Sequence, residues 1–310
     1  MNKNLIKKVA YVGFDFGNSS CKVMSDLIES PVIFDSSITK RKSFMGETHT
    51  LKFENEGVNY YVGKSTYGKP DSQPRKVDKQ HLIHFLYTAL ALVGAEDNFL
   101  VMGLPVSQFQ NDASELKNLI IQNNSKKVIF NGVPKEIKIL DVAIFPEGVM
   151  AVDDNFNGIV IDIGGGTVDC CETYCDEQGK HFNLPYSAPF GMNTLYEEVA
   201  SMINISNPLC NFNYKDAPKL LSEKMYTVRD QAFSIDSDDI YADFVEQILQ
   251  PLRGLKYHLN TLPITLVGGG ATVLEKYFKN AIGENVTALE SSIYSNAIAY
   301  QELCEAVFEM

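Results

Sequence analysis

Val12-Gly13-Phe14-Asp15-Phe16-Gly17-Asn18-Ser19-Ser20 and Ile159-Val160-Ile161-Asp162-Ile163-Gly164-Gly165-Gly166-Thr167 are two versions of one phrase. In each, an apolar run meets an Asp, a Gly stands two positions on, and a Ser or Thr three positions after that. The apolar run predicts a buried strand, and the glycine predicts a tight turn into a returning strand. The copies lie close to half the chain apart, which predicts two related lobes. Turns rich in Gly, Ser and Thr direct N–H groups and hydroxyls into a concavity suited to phosphate oxygens. An Asp beside each turn repels phosphate unless a divalent cation lies between them, so the pair argues for a Mg²⁺-bound nucleotide. The alternative is that each Asp merely caps its own turn, as this residue often does.

The 310 residues suffice for two domains or one large α/β unit. Hydrophobic content of 45% and charged content of 21% are ordinary for a globular chain. A net charge of −12 repels nucleic acid on average, so no direct DNA binding is expected and a DNA connection would pass through an adaptor. Lys3, Lys7 and Lys8 before an apolar run look like a secretion leader, but Asp15 breaks the run, and that reading is rejected. No stretch approaches the roughly 20 apolar residues of a membrane span, so a cytoplasmic location without membrane contact is expected. Of the six cysteines, none is spaced as a zinc pair. Cys170 and Cys171 fall on opposite faces of a strand, which favours core packing.

Strands are predicted at 9–16 and 20–24, joined by the Gly17-Asn18 turn, then at 32–34, 50–53 and 60–62. Residues 64–79, with Gly68, Pro70 and Pro74, predict a surface loop. Lys40, Arg41, Lys42, Arg75, Lys76 and Lys79 predict a solvated basic surface. His81–Val93 predicts a buried helix stopped by Gly94, with His81 and His84 packed rather than metal-bound. A buried strand follows at 99–105, then a helix capped by Asp112 or Ser114, strands at 128–130, 137–140 and 142–145, and a short helix from Pro146. In the second half, strands are expected at 159–163, 168–174 and 263–267. Helices are expected at 193–203, 217–225 and 240–259, from a Thr272 cap to Ala281 with Gly283 as stop, and from Ser291 or Ser292 onward.

The strand at 263–267 runs into a third glycine turn, Gly268-Gly269-Gly270. The three turns together resemble those of the actin-like ATPase superfamily, which includes actin, the heat-shock 70 chaperones, sugar kinases and bacterial actin homologues. Within it the chain most resembles the plasmid-segregation actins of the ParM/StbA type. The resemblance spans almost the whole length in ordered blocks: 12–23, Phe145-Pro146-Glu147-Gly148, 161–169 and 265–271. It implies an α/β, actin-like (ribonuclease H-like, duplicated) two-lobed fold with nucleotide in the interlobe cleft. The first lobe would take 1–155 plus 290–310, with an insert at about 30–80, and the second 156–289, with a subdomain at about 191–262.

The resemblance also implies site roles. Asp15 and Asp162 would hold hydrated Mg²⁺, Asp162 being catalytic as well. Lys22 would contact the β- and γ-phosphates as a point charge, the alternative being an exposed strand lysine. Gly17, Asn18, Ser19 and Ser20 would form the first phosphate turn, and Gly164, Gly165, Gly166 and Thr167 the second. Glu147 would orient the hydrolytic water, the alternative being an acid that complements a helix N-terminus. Asp169 would touch metal or water, or only face solvent. Gly268, Gly269 and Gly270 would contact the adenosine, Gly191, Met192 and Asn193 the ribose or phosphate, and Lys219, Glu223 and Lys224 the base. The activity implied is ATP hydrolysis, with GTP possible, coupled to assembly into filaments. Plasmid DNA would be segregated through a ParR-like adaptor. The alternatives are a non-polymerising chaperone-like or reactivase-type ATPase, and a small-molecule kinase.

Overall fold

Ala10, Val12, Phe14 and Phe16 enter one apolar core, while Tyr11, Gly13 and Asp15 take the opposite face of the same strand. This strand, β1 (Val9–Phe16), runs antiparallel to β2 (Ser20–Ser25) with Asp15 directly opposite Lys22, and β3 (Val32–Asp35) pairs with β2 on its other side. The computed structural model describes residues 9–42, 46–64, 69–70 and 73–309. Lys3, Lys7, Lys8 and Gly68 lie outside the described residues.

The first unit continues through β4 (Ser37–Thr39), β5 (Thr48–Phe53), β6 (Tyr60–Gly63) and β7 (Lys69–Pro70). Next comes α1 (Leu82–Val93), apolar along almost its whole length. It stops at Gly94, whose φ of 88° and amide bond to the Leu90 carbonyl end the helix as expected. Then follow β8 (Asp97–Leu104), α2 (Val106–Gln122), β9 (Ser125–Phe130) and β10 (Val133–Pro146). The strand order is β3-β2-β1-β8-β10-β9-β5-β6-β4-β7.

The second unit opens with β11 (Gly158–Ile163), β12 (Val168–Asp176) and β13 (Gly179–Ala188), a meander of antiparallel neighbours. It proceeds through α3 (Met192–Ser206), α4 (Ala217–Glu223), the hairpin β14 (Met225–Val228) and β15 (Gln231–Ser234), and α5 (Ser237–Gly254). It ends with β16 (Ile264–Val267), α6 (Ala271–Ile282) and β17 (Val286–Ala288), giving the order β13-β12-β11-β16-β17. The last helix, α7 (Ser295–Phe308), belongs again to the first unit, where Tyr300 and Cys304 pack with Val101. Contacts group the chain through Asp153 and from Tyr294 onward as one unit, and Asp154–Ile293 as the other.

The duplication is explicit in the sheets. In β3-β2-β1-β8-β10 two antiparallel pairings are followed by two parallel ones, and β13-β12-β11-β16-β17 repeats that series. Each unit thus holds the five-stranded ribonuclease H-like sheet of an actin-like fold, and the α/β class is as expected.

Several local expectations are corrected. Helix α2 starts straight after Pro105, whose carbonyl accepts from Gln108 and Phe109, so Asp112 and Ser114 lie inside it and cap nothing. Strand β10 runs unbroken to Pro146, and only a 3₁₀ turn, Val149–Ala151, follows. Helix α6 begins at Ala271 from Gly270, without a Thr272 cap. Helix α4 ends before Met225, which starts β14, and α5 covers 237–254 rather than 240–259 because Asp236 caps it through the Asp239 amide. Cys21, Cys170, Cys171 and Cys304 are buried, and Cys175 and Cys210 are half-buried.

Candidate functional site

Asp15 is buried at the end of β1, and Lys22 reaches it from β2 at 3.0 Å. That contact follows from register, because the two residues are cross-strand partners. The turn between them is closed by the Gly17 amide donating to the Ser20 carbonyl at 3.2 Å. Ser36 braces it from outside: its hydroxyl donates to the Gly17 carbonyl at 2.6 Å and its amide to the Ser19 carbonyl at 2.9 Å. Cys21 lies beside the Ser36 hydroxyl, and burial pushes its thiol up to about 12, so it packs as a neutral group. The Asn18 side chain accepts from Lys79 at 2.7 Å.

Glu147 follows β10. Its amide donates to the Leu104 carbonyl at 2.8 Å, and the next amide, of Gly148, donates to the Asn296 side chain of α7 at 2.9 Å. Its carboxylate is paired with Lys76, which also donates to the Gly103 carbonyl at 3.2 Å. Two expectations change here. Glu147 precedes only the single 3₁₀ turn Val149–Ala151 and no α-helix, so the helix-dipole alternative has little dipole to act on. Lys76 and Lys79 are buried rather than solvated, at 5% and 6% exposure, because the 3₁₀ turn Lys76–Asp78 directs them inward.

In the second unit the same hairpin recurs. Asp162, at the end of β11, is buried and faces away from the Ile159, Ile161 and Ile163 core. The Gly164 amide donates to the Thr167 carbonyl at 2.9 Å, as Gly17 does to Ser20. Opposite Asp162 across the hairpin, where the first unit has Lys22, stands Asp169. It is buried and bonded by the Ser187 hydroxyl, so the solvent-facing alternative does not hold.

The other two glycine segments of this unit converge on that turn. The Met192 and Asn193 amides, at the start of α3, donate to the Gly164 and Gly165 carbonyls at 3.0 and 2.8 Å. Gly191 fits only without a side chain, since a Cβ there would lie 2.8 Å from the Gly165 carbonyl carbon. Gly270 donates to the Ile163 carbonyl at 3.0 Å. Gly268 has φ 83°, and a Cβ on it would strike the Asp162 carboxylate and sit 2.7 Å from the Ile163 carbonyl oxygen. Gly164 to Thr167, Gly191 to Asn193 and Gly268 to Gly270 therefore form one backbone-lined cluster around Asp162.

Lys219, Glu223 and Lys224 are not drawn into that cluster. Lys219 and Glu223 pair at 3.8 Å along exposed α4. Lys224 pairs with Asp238, whose carboxyl is held far below the usual carboxylate range by hydrogen bonds from Lys224, Lys276 and Tyr277. Sequence reasoning missed Lys76, Lys79, Ser36 and Asn296. The only signal for the lysines was their three-residue spacing ahead of α1.

Among the described residues no group of three or more His, Cys, Asp or Glu side chains gathers as a metal centre, and no helix is long and apolar enough to cross a membrane. Residues 13–149 match the family model of the actin like proteins N terminal domain. Among solved structures the chain is similar to an archaeal actin homologue: TM-score 0.78, 19% identity, 96% of this chain and 99% of that one. The same homologue in complex with ADP matches with TM-score 0.78 and 18% identity over 96% and 99% of the two chains. A 15-stranded ParM filament from Clostridium botulinum matches with TM-score 0.78 and 18% identity over 96% and 99%. No curated protein matches the sequence.

Proposed function

We propose that this chain, whose fold is actin-like and whose residues 13–149 match the actin like proteins N terminal domain, is a Mg²⁺-dependent ATPase of the actin-like superfamily whose assembly into dynamic filaments is coupled to hydrolysis. The observation that carries this reading is the repeated turn: two strand ends, each with a buried Asp and each closed by the same Gly-to-Ser/Thr backbone bond. Gly17 to Ser20 and Gly164 to Thr167 would supply phosphate donors, Lys22 a point charge, and Gly268 to Gly270 a bare backbone surface for the nucleoside. Met192 and Asn193 support the second turn through its carbonyls, and Gly191 makes room for it. Base contacts from Lys219, Glu223 and Lys224 would require these exposed, paired side chains to turn from their present partners toward the ligand.

Mg²⁺ keeps several waters and takes one or two carboxylates besides phosphate oxygens, which is the chemistry that Asp15 and Asp162 would supply. Bound with the triphosphate, the cation would offset charge at the phosphoryl group. Glu147 would accept a hydrogen bond from water and orient it for in-line attack. The filament reading draws support from the ParM filament of like fold. Head-to-tail contacts give open filaments because the operation between subunits does not close. Plasmid DNA would be engaged through a ParR-like adaptor, in keeping with a net charge of −12.

The test is sedimentation and 90° light scattering with Mg-ATP, Mg-GTP, Mg-ADP and a non-hydrolysable analogue. Pelleting that requires a triphosphate is expected. Hydrolysis without pelleting would instead favour the non-polymerising chaperone-like ATPase, and no response to any nucleotide would overturn the proposal.

A further inference from the structure

Lys76 and Lys79 lie three residues apart, both buried, and each holds a different element of the first unit. Lys79 donates to Asn18 of the first turn, and Lys76 is paired with Glu147. The aromatic ring of Phe16 lies near both ammonium groups, 6.0 Å from that of Lys76 and 5.6 Å from that of Lys79. The segment carrying them is anchored on α2. Arg75 bonds Asp112 at 2.9 Å and Glu115 at 2.8 Å, and the Lys76 amide donates to the Gln108 side chain at 3.1 Å.

We infer that Lys76 is a positioning residue that fixes the direction of the Glu147 carboxylate for water activation, while Lys79 independently sets the first phosphate turn. This rests on the ATPase reading above. The Glu147 side chain is confined on several sides. Its backbone is tied to Leu104, and its carboxylate is tied to Lys76. The space beneath it exists because residue 103 is glycine, where a Cβ would lie 2.9 Å from the Glu147 Cγ and would also strike the Tyr300 hydroxyl. With side chains only 7% and 11% exposed, water cannot easily take the place of either partner. A carboxylate that orients water must be held to a narrow range of directions, and a buried ammonium on an anchored segment does that.

An ion pair that served only the fold would leave turnover per folded molecule unchanged. The positioning role instead predicts a split between the two lysines. In the full chain, Lys76→Met lowers kcat for ATP on the order of 100-fold with KM little changed, whereas Lys79→Met acts on KM and leaves kcat nearly intact. Lys76→Arg restores part of the lost kcat. In a Glu147→Gln background, Lys76→Met has little further effect on kcat, because the group it positions has already lost its charge. Melting of the nucleotide-free protein gives a second readout: Lys76→Met lowers the melting temperature, and Lys76→Met/Glu147→Gln recovers most of that loss. Should Lys76→Met fail to fold, Lys76→Arg and the double variant carry the same comparison. An unchanged kcat in Lys76→Met, or an equal drop with and without Glu147, overturns the inference alone. A wild-type protein that binds no ATP analogue and hydrolyses no ATP overturns the ATPase reading and the inference with it.

Discussion

Glu147 combines a buried ammonium neighbour with a backbone tied to Leu104 and, through the Gly148 amide, to Asn296, so its side chain can be changed without disturbing the turns that would bind phosphate. Glu147→Ala is therefore expected to slow hydrolysis by roughly 10²- to 10⁴-fold, the usual range for a positioned acid–base group, with ATP affinity retained. Single-turnover phosphate release, set beside titration with a non-hydrolysable analogue, checks both halves. A second residue-scale expectation concerns His84, packed against Phe53, Tyr60 and His81 on α1. Burial pushes its pKa down to about 4; His81 adds repulsion, and Glu56, 3.8 Å away, opposes the shift. The folded value lies below the unfolded value of 6.5, so the unfolded chain takes up the proton first as pH falls. Stability should be fully present above pH 6.5 and decline as pH drops toward about 4. Urea midpoints measured across that window should show the slope, and His84→Leu should flatten it.

At the scale of elements, the second glycine turn is held by its neighbours as much as by its own sequence. Gly268, just after β16, lies against the Asp162 carboxylate; its positive φ disfavours any other residue, and its neighbours leave no room for a side chain. Gly268→Ala is expected to destabilise the protein by about 1–3 kcal/mol, the cost of a strained backbone conformation, and to displace the Asp162 carboxylate. Urea unfolding and nucleotide titration together would show both effects; wild-type values in each would refute them. The turns at Asp15 and Asp162 were legible because strand, carboxylate and glycine are consecutive in the chain. The same holds for β1, β11, α1 and the Gly94 and Gly283 stops. The Lys76–Glu147 pair was not legible, since its members are 71 positions apart and meet only through the order of strands around β8 and β10. Helix α2 was entered too late because its first turn, Val106 to Phe109, looks no more helical than the loop before it; Pro105 and the surrounding packing decide its start. Hairpin β14–β15 was missed because its sequence alternates only weakly and its strands are short.

At the scale of the molecule, the sheet inside the first unit is assembled from distant parts of the chain. Strands β1, β8 and β10 come from the first half, but the face of β1 that bears Gly13 is covered by α7. A Cβ at Gly13 would strike the Ala297 carbonyl and the Gln301 amide. A chain ending at Ile293 should therefore expose the apolar surface formed by Tyr11, Phe99 and Val101, and bind an environment-sensitive dye that the intact protein does not. Equal dye binding by both would show that the helix is dispensable to that face. The same arrangement bears on synthesis. A ribosome makes the covering segment only after every residue of the other unit, so the earlier sheet must wait with one side bare while Asp154–Ile293 is synthesised. Nascent molecules of this protein should accordingly lean on holding factors in the cell, far more than a domain whose stretches are contiguous.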